Sequence, residues 1–450
     1  MPEGIVVDRR EFLGSAALAS AGLASAGLVA ATGCAISESP NAAARTPGAA
    51  NTQRDLDNNI YTQLLGVRPH LGAHEHISRL GGGRMAPEVI AAMTEANDYF
   101  IDMVELNDAA GRRAAELLGA EAAMITCGGF SGLLLGAAAC LTGTDKEKVE
   151  ALPHATWPRS ECLIQSAQRF DYDRAYRSAG ATIVEAKTRE DLEAHISDRT
   201  AMIAGLSIAE RQGVFAPPFE AHRAPPPDAH LVKPEELIAI GNKAGVPVLI
   251  DMASDLPPFN NVHRFLSAGA DLVVLSGGKC IGGPQATGIL LGKRSLIEAA
   301  RLNATPNDNV GRGMKVGKEE IVGLVVALER FVKQDHAAEM ERWNDRARRI
   351  VARLQGVPGL TATYALNTAG FGDADLRWDE RHIPLTRESL RARLSQGSPR
   401  VQLEVILTQD PGTTVWHATA RTRVLRDGEE LLVARRLREV FLGALEQRRA

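Results

Sequence analysis

The sequence predicts an α/β fold: a large domain with a mostly parallel sheet sandwiched by helices, and a smaller C-terminal α+β domain. Three observations carry this. Short apolar runs alternate with helix-period segments between Ala122 and Leu275, the pattern of strands joined by crossover helices. The 450 residues are 45% hydrophobic and 24% charged, which supplies a packed core and excludes a disordered or fibrous chain. From about Ile321 the character changes to a long helical stretch followed by alternating strands. The expected division is 1–34 as an export signal, 35–55 as a flexible tether, 56–325 as the large domain and 326–450 as the small domain with its connecting helix.

The amino terminus reads as an address. Asp8-Arg9-Arg10-Glu11-Phe12-Leu13 opens an Ala/Gly/Leu run to Val29, the charged start and weakly apolar middle of a twin-arginine signal. Its Gly, Ala and Ser content makes it a poor transmembrane span. Ala31-Thr32-Gly33-Cys34 leaves two readings open, a lipid anchor at Cys34 or an ordinary cleavage site. The expectation is passage through the twin-arginine translocase to the periplasm or cell envelope, followed by an Ala/Ser/Pro/Thr-rich tether.

Along the mature chain, Gly81-Gly82-Gly83 precedes a helix from Pro87 to Asp98, with proline where a first turn tolerates it. Asn107 to Leu118 is a second helix. Ala122 to Thr126 is a strand ending in Cys127-Gly128-Gly129, and Leu133 to Cys140 returns to helix. Leu163 to Gln165, Thr182 to Glu185 and Met202 to Ile208 are further strands, with a helix from Tyr172 to Ala179. A Pro-rich loop runs from Pro217 to Pro227, a helix from Pro234 to Ala244, and buried strands from Val246 to Ile250 and Leu272 to Leu275. Beyond Ile321 the pattern predicts one helix to about Leu354, strands at Leu360 to Tyr364, Val401 to Leu407 and Trp416 to Val424, and a closing helix from Gly428.

Several function classes are excluded early. A net charge of -4 without a long basic segment argues against nucleic acid and for a small-molecule partner. Cys34, Cys127, Cys140, Cys162 and Cys280 show neither disulfide nor zinc spacing. His70, His74 and His76 with Glu75 lack the helical HExxH pattern, and on a strand Glu75 would face away from the neighbouring histidines, so no metal is expected. Ser276-Gly277-Gly278-Lys279 spells S-x-x-K, but the Ser-Asp-Asn and Lys-Thr-Gly partners of the serine enzymes carrying that motif are missing.

Three polar clusters fall at strand carboxyl ends, where open α/β sheets bind ligands: Thr126 to Gly132, Asp251, and Ser276 to Lys279. Taken singly, the aspartate is a turn residue, the lysine a solvated cation and the glycine pair a common turn. Their order is more telling when joined to Ser78-Arg79-Leu80-Gly81-Gly82, Gly119-Ala120-Glu121-Ala122-Ala123, Tyr172 to Gly180-Ala181, Pro247-Val248-Leu249-Ile250-Asp251, Gly283-Pro284-Gln285 with Gly288, and Gly311-Arg312 leading into Lys315-Val316-Gly317-Lys318-Glu319. Over roughly residues 77 to 330 the chain resembles the fold-type-I pyridoxal-phosphate enzymes, in the group related to selenocysteine synthase and D-glucosaminate-6-phosphate ammonia-lyase (aminotransferase class V-like).

The resemblance implies pyridoxal 5'-phosphate as cofactor, Lys279 as its Schiff-base lysine and Asp251 as partner of the pyridine nitrogen. It implies Ser276, Thr126, Gly128, Gly129 and Phe130 around the phosphate, with Thr287 reaching the phosphate of a partner subunit in a homodimer. Arg169 stands where the group has a His-Arg pair, with Gln168 in place of the histidine, and Gly72 to His76 departs from the group's usual asparagine-bearing segment. Arg79, Arg312 and Lys315 within the motifs, and Arg400 in Ser398-Pro399-Arg400, are the candidates for holding an anionic substrate group. The expected reaction is ammonia-lyase chemistry at Cα and Cβ of an amino acid or amino sugar acid. Aminotransferase, racemase and aldolase activities share its first step, and a non-catalytic binding protein of the same fold is the alternative from another class. Selenium transfer to tRNA is disfavoured, because the basic amino-terminal domain it needs is missing and export would remove the tRNA.

Overall fold

Val248-Leu249-Ile250 and Leu272-Val273-Val274-Leu275 have no polar face to leave in water, so their strands need cover on both sides. The computed structural model describes residues 49–211, 231–367, 369–403, 405–408 and 413–449. The expected export signal, with Arg9, Arg10 and Cys34, the tether up to residue 48 and the Pro217 to Pro227 loop lie outside the described residues. By contacts the chain divides into Met1–Thr46 and Pro47–Ala450, and everything below belongs to the second unit.

Strand β1 (Leu71–Ala73) stands apart from the main sheet, which is built from β2 (Ala122–Thr126), β3 (Glu161–Gln165), β4 (Thr182–Ala186), β5 (Thr200–Leu206), β6 (Val248–Asp251), β7 (Leu272–Ser276) and β8 (Gly288–Gly292). The order is β2-β8-β7-β6-β5-β3-β4, with β8 antiparallel to both neighbours and the other pairs parallel. Alternate side chains feed two cores. Val248, Ile250, Val273, Leu275, Ile289 and Leu291 face one, while Leu249, Leu272, Val274 and Leu290 face the other. Each enclosed Leu, Ile or Val contributes about 1.5–3 kcal/mol relative to exposure.

The helix Gly128–Thr142 is apolar almost all round because it lies between the sheet and the helix Arg294–Asn303. Gly136 permits the close approach: a Cβ there would lie 2.5 Å from Leu249 Cδ1. That contact fixes the helix over the strand leading to Asp251.

The C-terminal lobe has its own core around Trp378, Leu390 and Phe441. Strands β9 (Leu360–Leu366) and β10 (Gly372–Asp379) join a four-stranded antiparallel sheet, β11 (Val401–Leu403) pairs instead with β1, and β12 (Val405–Thr408) and β13 (Val415–Ala420) complete the four in the order β12-β13-β10-β9.

Several expectations are corrected. The single helix from Ile321 to Leu354 is two, Lys318–Lys333 and His336–Leu354, because Asp335 caps the second through Ala338 N at 2.9 Å. Strand β10 and the helix Arg387–Gln396 were not anticipated. The stretch from Leu56 to Ala73, expected in the large domain, buries Leu56, Leu71 and Ala73 in the C-terminal core. The end of the expected tether is ordered too: Gln53–Asp57 is helical, and Asn51 N donates to Glu429 Oε1 at 2.9 Å.

Candidate active site

Strands β6 and β7 are neighbours and run in the same direction, so Asp251 and Ser276 end at the same edge of the sheet. Beyond Ser276 the chain turns through Gly277-Gly278 into Lys279. A Cβ on Gly277 would lie 2.3 Å from Thr287 Oγ1, and one on Gly278 would lie 2.4 Å from the Gln285 Cα, so the lysine's loop can press against residues 284–287 only without side chains.

The Met252–Ser254 loop links amine and carboxylate. Asp251 Oδ1 accepts from Ala253 N at 2.9 Å, and Lys279 Nζ donates to Ser254 Oγ. Burial pushes the Lys279 amine below its ordinary value, opposed by the negative charges of Asp251 and Glu75. Burial also raises the Asp251 carboxyl, opposed by the Ala253 N–H and by Lys279. An amine disfavoured as a cation is suited to attack a carbonyl. A carboxylate in so dry a place is suited to grip a protonated ring nitrogen.

The third part is a glycine turn. Gly288 pairs with Thr126 on one side and Ser276 on the other, so two hydroxyl residues flank a glycine across three adjacent strands. A Cβ on Gly288 would lie 2.5 Å from the Gly128 carbonyl carbon, and one on Gly129 would lie 2.9 Å from Ala253 Cβ. Thr126 Oγ1 donates to Gly128 O at 3.0 Å, holding the turn, and Gly128 has φ 76°, a left-handed value glycine adopts readily. Here the helix Gly128–Thr142 begins, without a side-chain cap on its first N–H groups, and Phe130 packs against the core. A glycine turn at a helix N-terminus, a buried carboxylate and a half-buried amine at one sheet edge fit pyridoxal 5'-phosphate.

A cavity of about 530 Å³ opens beside Lys279, with His76, Arg84, Phe259, Trp343 and Arg423 on its wall. Asp251 is not on that wall and is only 5% exposed.

Other expected site residues stand elsewhere. Thr287 is fully buried with its hydroxyl donating to Pro284 O at 2.6 Å, which corrects the expectation that it presents a hydroxyl to a second chain. Arg169 is held by the carboxylates of Asp173 and Glu185. Gln168, in the histidine's place, is fully buried: its Oε1 accepts from Leu206 N at 2.7 Å and its Nε2 donates to Val232 O at 2.9 Å. Arg79 and Lys315 are exposed, and Arg312 pairs with Asp308 at 2.8 Å. Arg400 donates from Nε to Ser395 O at 2.7 Å and from Nη1 to Arg68 O at 3.0 Å, away from the cavity wall.

Sequence reasoning did not select Ser254, Arg423 or His76. The nearest signal for the arginine is Arg421-Thr422-Arg423, two cations at i and i+2 after a strand. Glu75 was expected to face away from its neighbours, but β1 ends at Ala73, so strand alternation no longer applies and Glu75 Oε2 lies 3.8 Å from His76 Nδ1. Among the described residues no His/Cys/Asp/Glu group has the arrangement of a metal site.

The histidines upstream form a neutral pair. His74 Nδ1 donates to Glu75 O at 2.6 Å, so its Nε2 carries a lone pair, which accepts from His70 Nε2 at 3.1 Å. Burial, then His74, lowers His70 to about 4. The unfolded chain takes up this proton near 6.5, so the pair's contribution is complete above that pH and is lost as pH falls toward 4. Thermal unfolding should show a loss on the order of 2 kcal/mol across that window, after discounting for partial solvent screening. His70→Gln should flatten it; an unchanged slope would contradict the assignment.

Comparison with known proteins agrees with this geometry. A family model described as SelA, L-seryl-tRNA selenium transferase, matches residues 228–342. The chain is 29% identical over 397 residues to a 5'-C-glycyluridine monooxygenase-decarboxylase of a Streptomyces species, covering 84% of this chain and 92% of that one. It is 25% identical to a D-glucosaminate-6-phosphate ammonia lyase of Salmonella typhimurium, covering 85% and 98%. A solved structure of D-glucosaminate-6-phosphate ammonia-lyase superimposes with a TM-score of 0.71 at 24% identity, covering 86% of this chain and 99% of that one. The chain has the fold of the type-I pyridoxal-phosphate enzymes. It is an enzyme. Its segment from residue 228 to 342 carries Asp251, Ser276 and Lys279 within the matched family region.

Proposed function

We propose that this enzyme, whose cofactor is pyridoxal 5'-phosphate, is an ammonia-lyase acting at Cα and Cβ of an amino acid or amino sugar acid. The observation that carries the reading is the Lys279 amine on the wall of a cavity large enough for a small substrate, joined to Asp251 through one short loop. Bound there, the cofactor supplies an electron sink next to the substrate's Cα. The Gly128 turn and Ser276 would hold its phosphate, and Asp251 would keep its ring nitrogen protonated. Ser254 accepts from Lys279 Nζ and orients it. Because burial disfavours its charge, Lys279 is available as the base that takes the Cα proton. Phe259 and Trp343 keep that wall of the cavity apolar and exclude water.

A second reading, oxygen-dependent decarboxylation of an amino acid, is favoured by the 29% identity to the monooxygenase-decarboxylase. Incubating the holoenzyme with a panel of amino acids while following ammonia, keto acid, carbon dioxide and oxygen separates the two. Keto acid with stoichiometric ammonia supports the lyase. Carbon dioxide release with oxygen uptake overturns it, as does keto acid without ammonia.

The active form we propose is a homodimer. Ile60, Leu64, Leu65, Tyr99 and Phe100 are exposed on two segments either side of the Gly-Gly turn at 81–82, and exposed large apolar side chains in number mark interfaces. Phe100→Asp should halve the mass seen in sedimentation; an unchanged mass would count against this face. Twin-arginine export to the periplasm or cell envelope completes the proposal. Changing Arg9 and Arg10 to Lys should retain the holoenzyme inside the cell, and continued export would refute the route.

A further inference from the structure

Glu75 is a carboxylate taken out of water, at a cost of several kcal/mol unless partners compensate. They converge on it: Arg423 Nη1 lies 2.7 Å from Oε2 and Arg421 Nη1 lies 3.4 Å from Oε1. Both guanidinium groups are themselves only 7% exposed. Arg423 is fixed further by Leu256 O, which accepts from Nη2 at 2.7 Å, and by the rings of Trp343 and Phe371 at 5.1 and 5.0 Å. The cofactor's three anchors use none of these groups. This assembly holds one negative charge beside two side chains on the cavity wall, Arg423, which is paired with it, and His76, whose imidazole can carry a proton.

The ring of His76 shares the cavity wall with Lys279. Its position is set by Gly83: a Cβ there would stand 3.0 Å from His76 Cδ2 and 3.3 Å from Gly278 O, which brings the imidazole up to the backbone next to the lysine. Glu75 lies on the Nδ1 side at 3.8 Å, so the carboxylate favours the tautomer with its proton on Nδ1 and the lone pair on Nε2. Burial, with Arg423 and Lys279 nearby, keeps the imidazole neutral at rest, while Glu75 acts in the opposite direction. A neutral imidazole backed by a fixed carboxylate can accept a proton and hold it transiently as a paired cation.

We propose that His76, backed by Glu75, is the proton shuttle of this site. This rests on the elimination reading above. When substrate enters, His76 Nε2 takes one proton from its ammonium group, leaving a neutral amine able to react. In the elimination, the Cα–H bond breaks with its proton going to Lys279 Nζ, the electron pair forms Cα=Cβ, and the Cβ–X bond breaks with its pair going to X. The stored proton passes from His76 Nε2 to X, so a hydroxyl departs as water and the imidazole returns to neutral.

The shuttle is tested with two leaving groups, because hydroxide needs a proton to depart and chloride does not. His76→Asn and His76→Gln should lower kcat for a β-hydroxy amino acid about 10²- to 10³-fold, the range of a lost general acid. For β-chloroalanine, at a pH where its amine is already neutral, the loss should stay under about tenfold. The acid limb of the kcat/KM profile should disappear in both variants. A readout independent of turnover is the imidazole nitrogen resonance of His76, which should titrate lower in Glu75→Asp as the carboxylate draws back. Equal losses for both leaving groups overturn the shuttle while leaving elimination intact. A wild-type enzyme that eliminates neither group overturns the elimination reading and the shuttle with it.

Discussion

Lys279→Ala is expected to yield a folded protein without the visible absorbance of a lysine-bound cofactor and without measurable turnover. The lysine has two duties in the proposed function, anchoring the cofactor and taking the Cα proton, and alanine removes both. Loss of a covalent anchor and of a general base worth about 10²–10⁴-fold puts residual activity below ordinary detection. Folding should survive, because the side chain's polar contact is with Ser254 Oγ at the edge of a cavity rather than within either sheet core. The absorbance spectrum and the product assay are the measurements, and an unchanged visible band would remove Lys279 from its role.

Asp251→Asn should give the complementary phenotype: visible absorbance retained, turnover lost. The asparagine keeps an oxygen for Ala253 N, so the loop from Met252 to Ser254 should hold its shape. It cannot keep a ring nitrogen protonated, and charge developing on the ring in the reaction loses its electrostatic partner. Removing one such interaction in a dry site costs about 10²–10³-fold in kcat. A variant within threefold of wild type would show that another group carries this task.

Much of the candidate site's geometry was legible in the sequence because its parts are local. A glycine turn after an apolar run, an aspartate closing a buried run, and a lysine after Ser-Gly-Gly each declare themselves within a few residues, and strand ends share an edge by topology. What escaped is non-local or too short. Strand β8 is only Gly288–Gly292, and its antiparallel direction depends on neighbours far away in the chain. The helical period runs unbroken across Gln334 and Asp335, so only the cap made by Asp335 reveals that the helix restarts. Arg400 sits in a plausible sequence context, but its guanidinium is taken up by two backbone carbonyls. The Glu75–Arg423 contact joins residues 348 positions apart, a distance at which no pattern of spacing speaks.

The pairing of β1 with β11 has a consequence for biosynthesis. Leu71 N donates to Arg400 O, Arg421 N donates to Ala73 O, and Arg423 closes on Glu75, so the segment bearing His76 takes these partners from residues 400 to 423. A nascent chain can complete most of the main sheet early, yet the part of the cavity wall that carries His76 and Arg423 joins segments far apart along the polypeptide. Such long-range closure is slow relative to local structure, so this part of the pocket is expected to form after the main sheet.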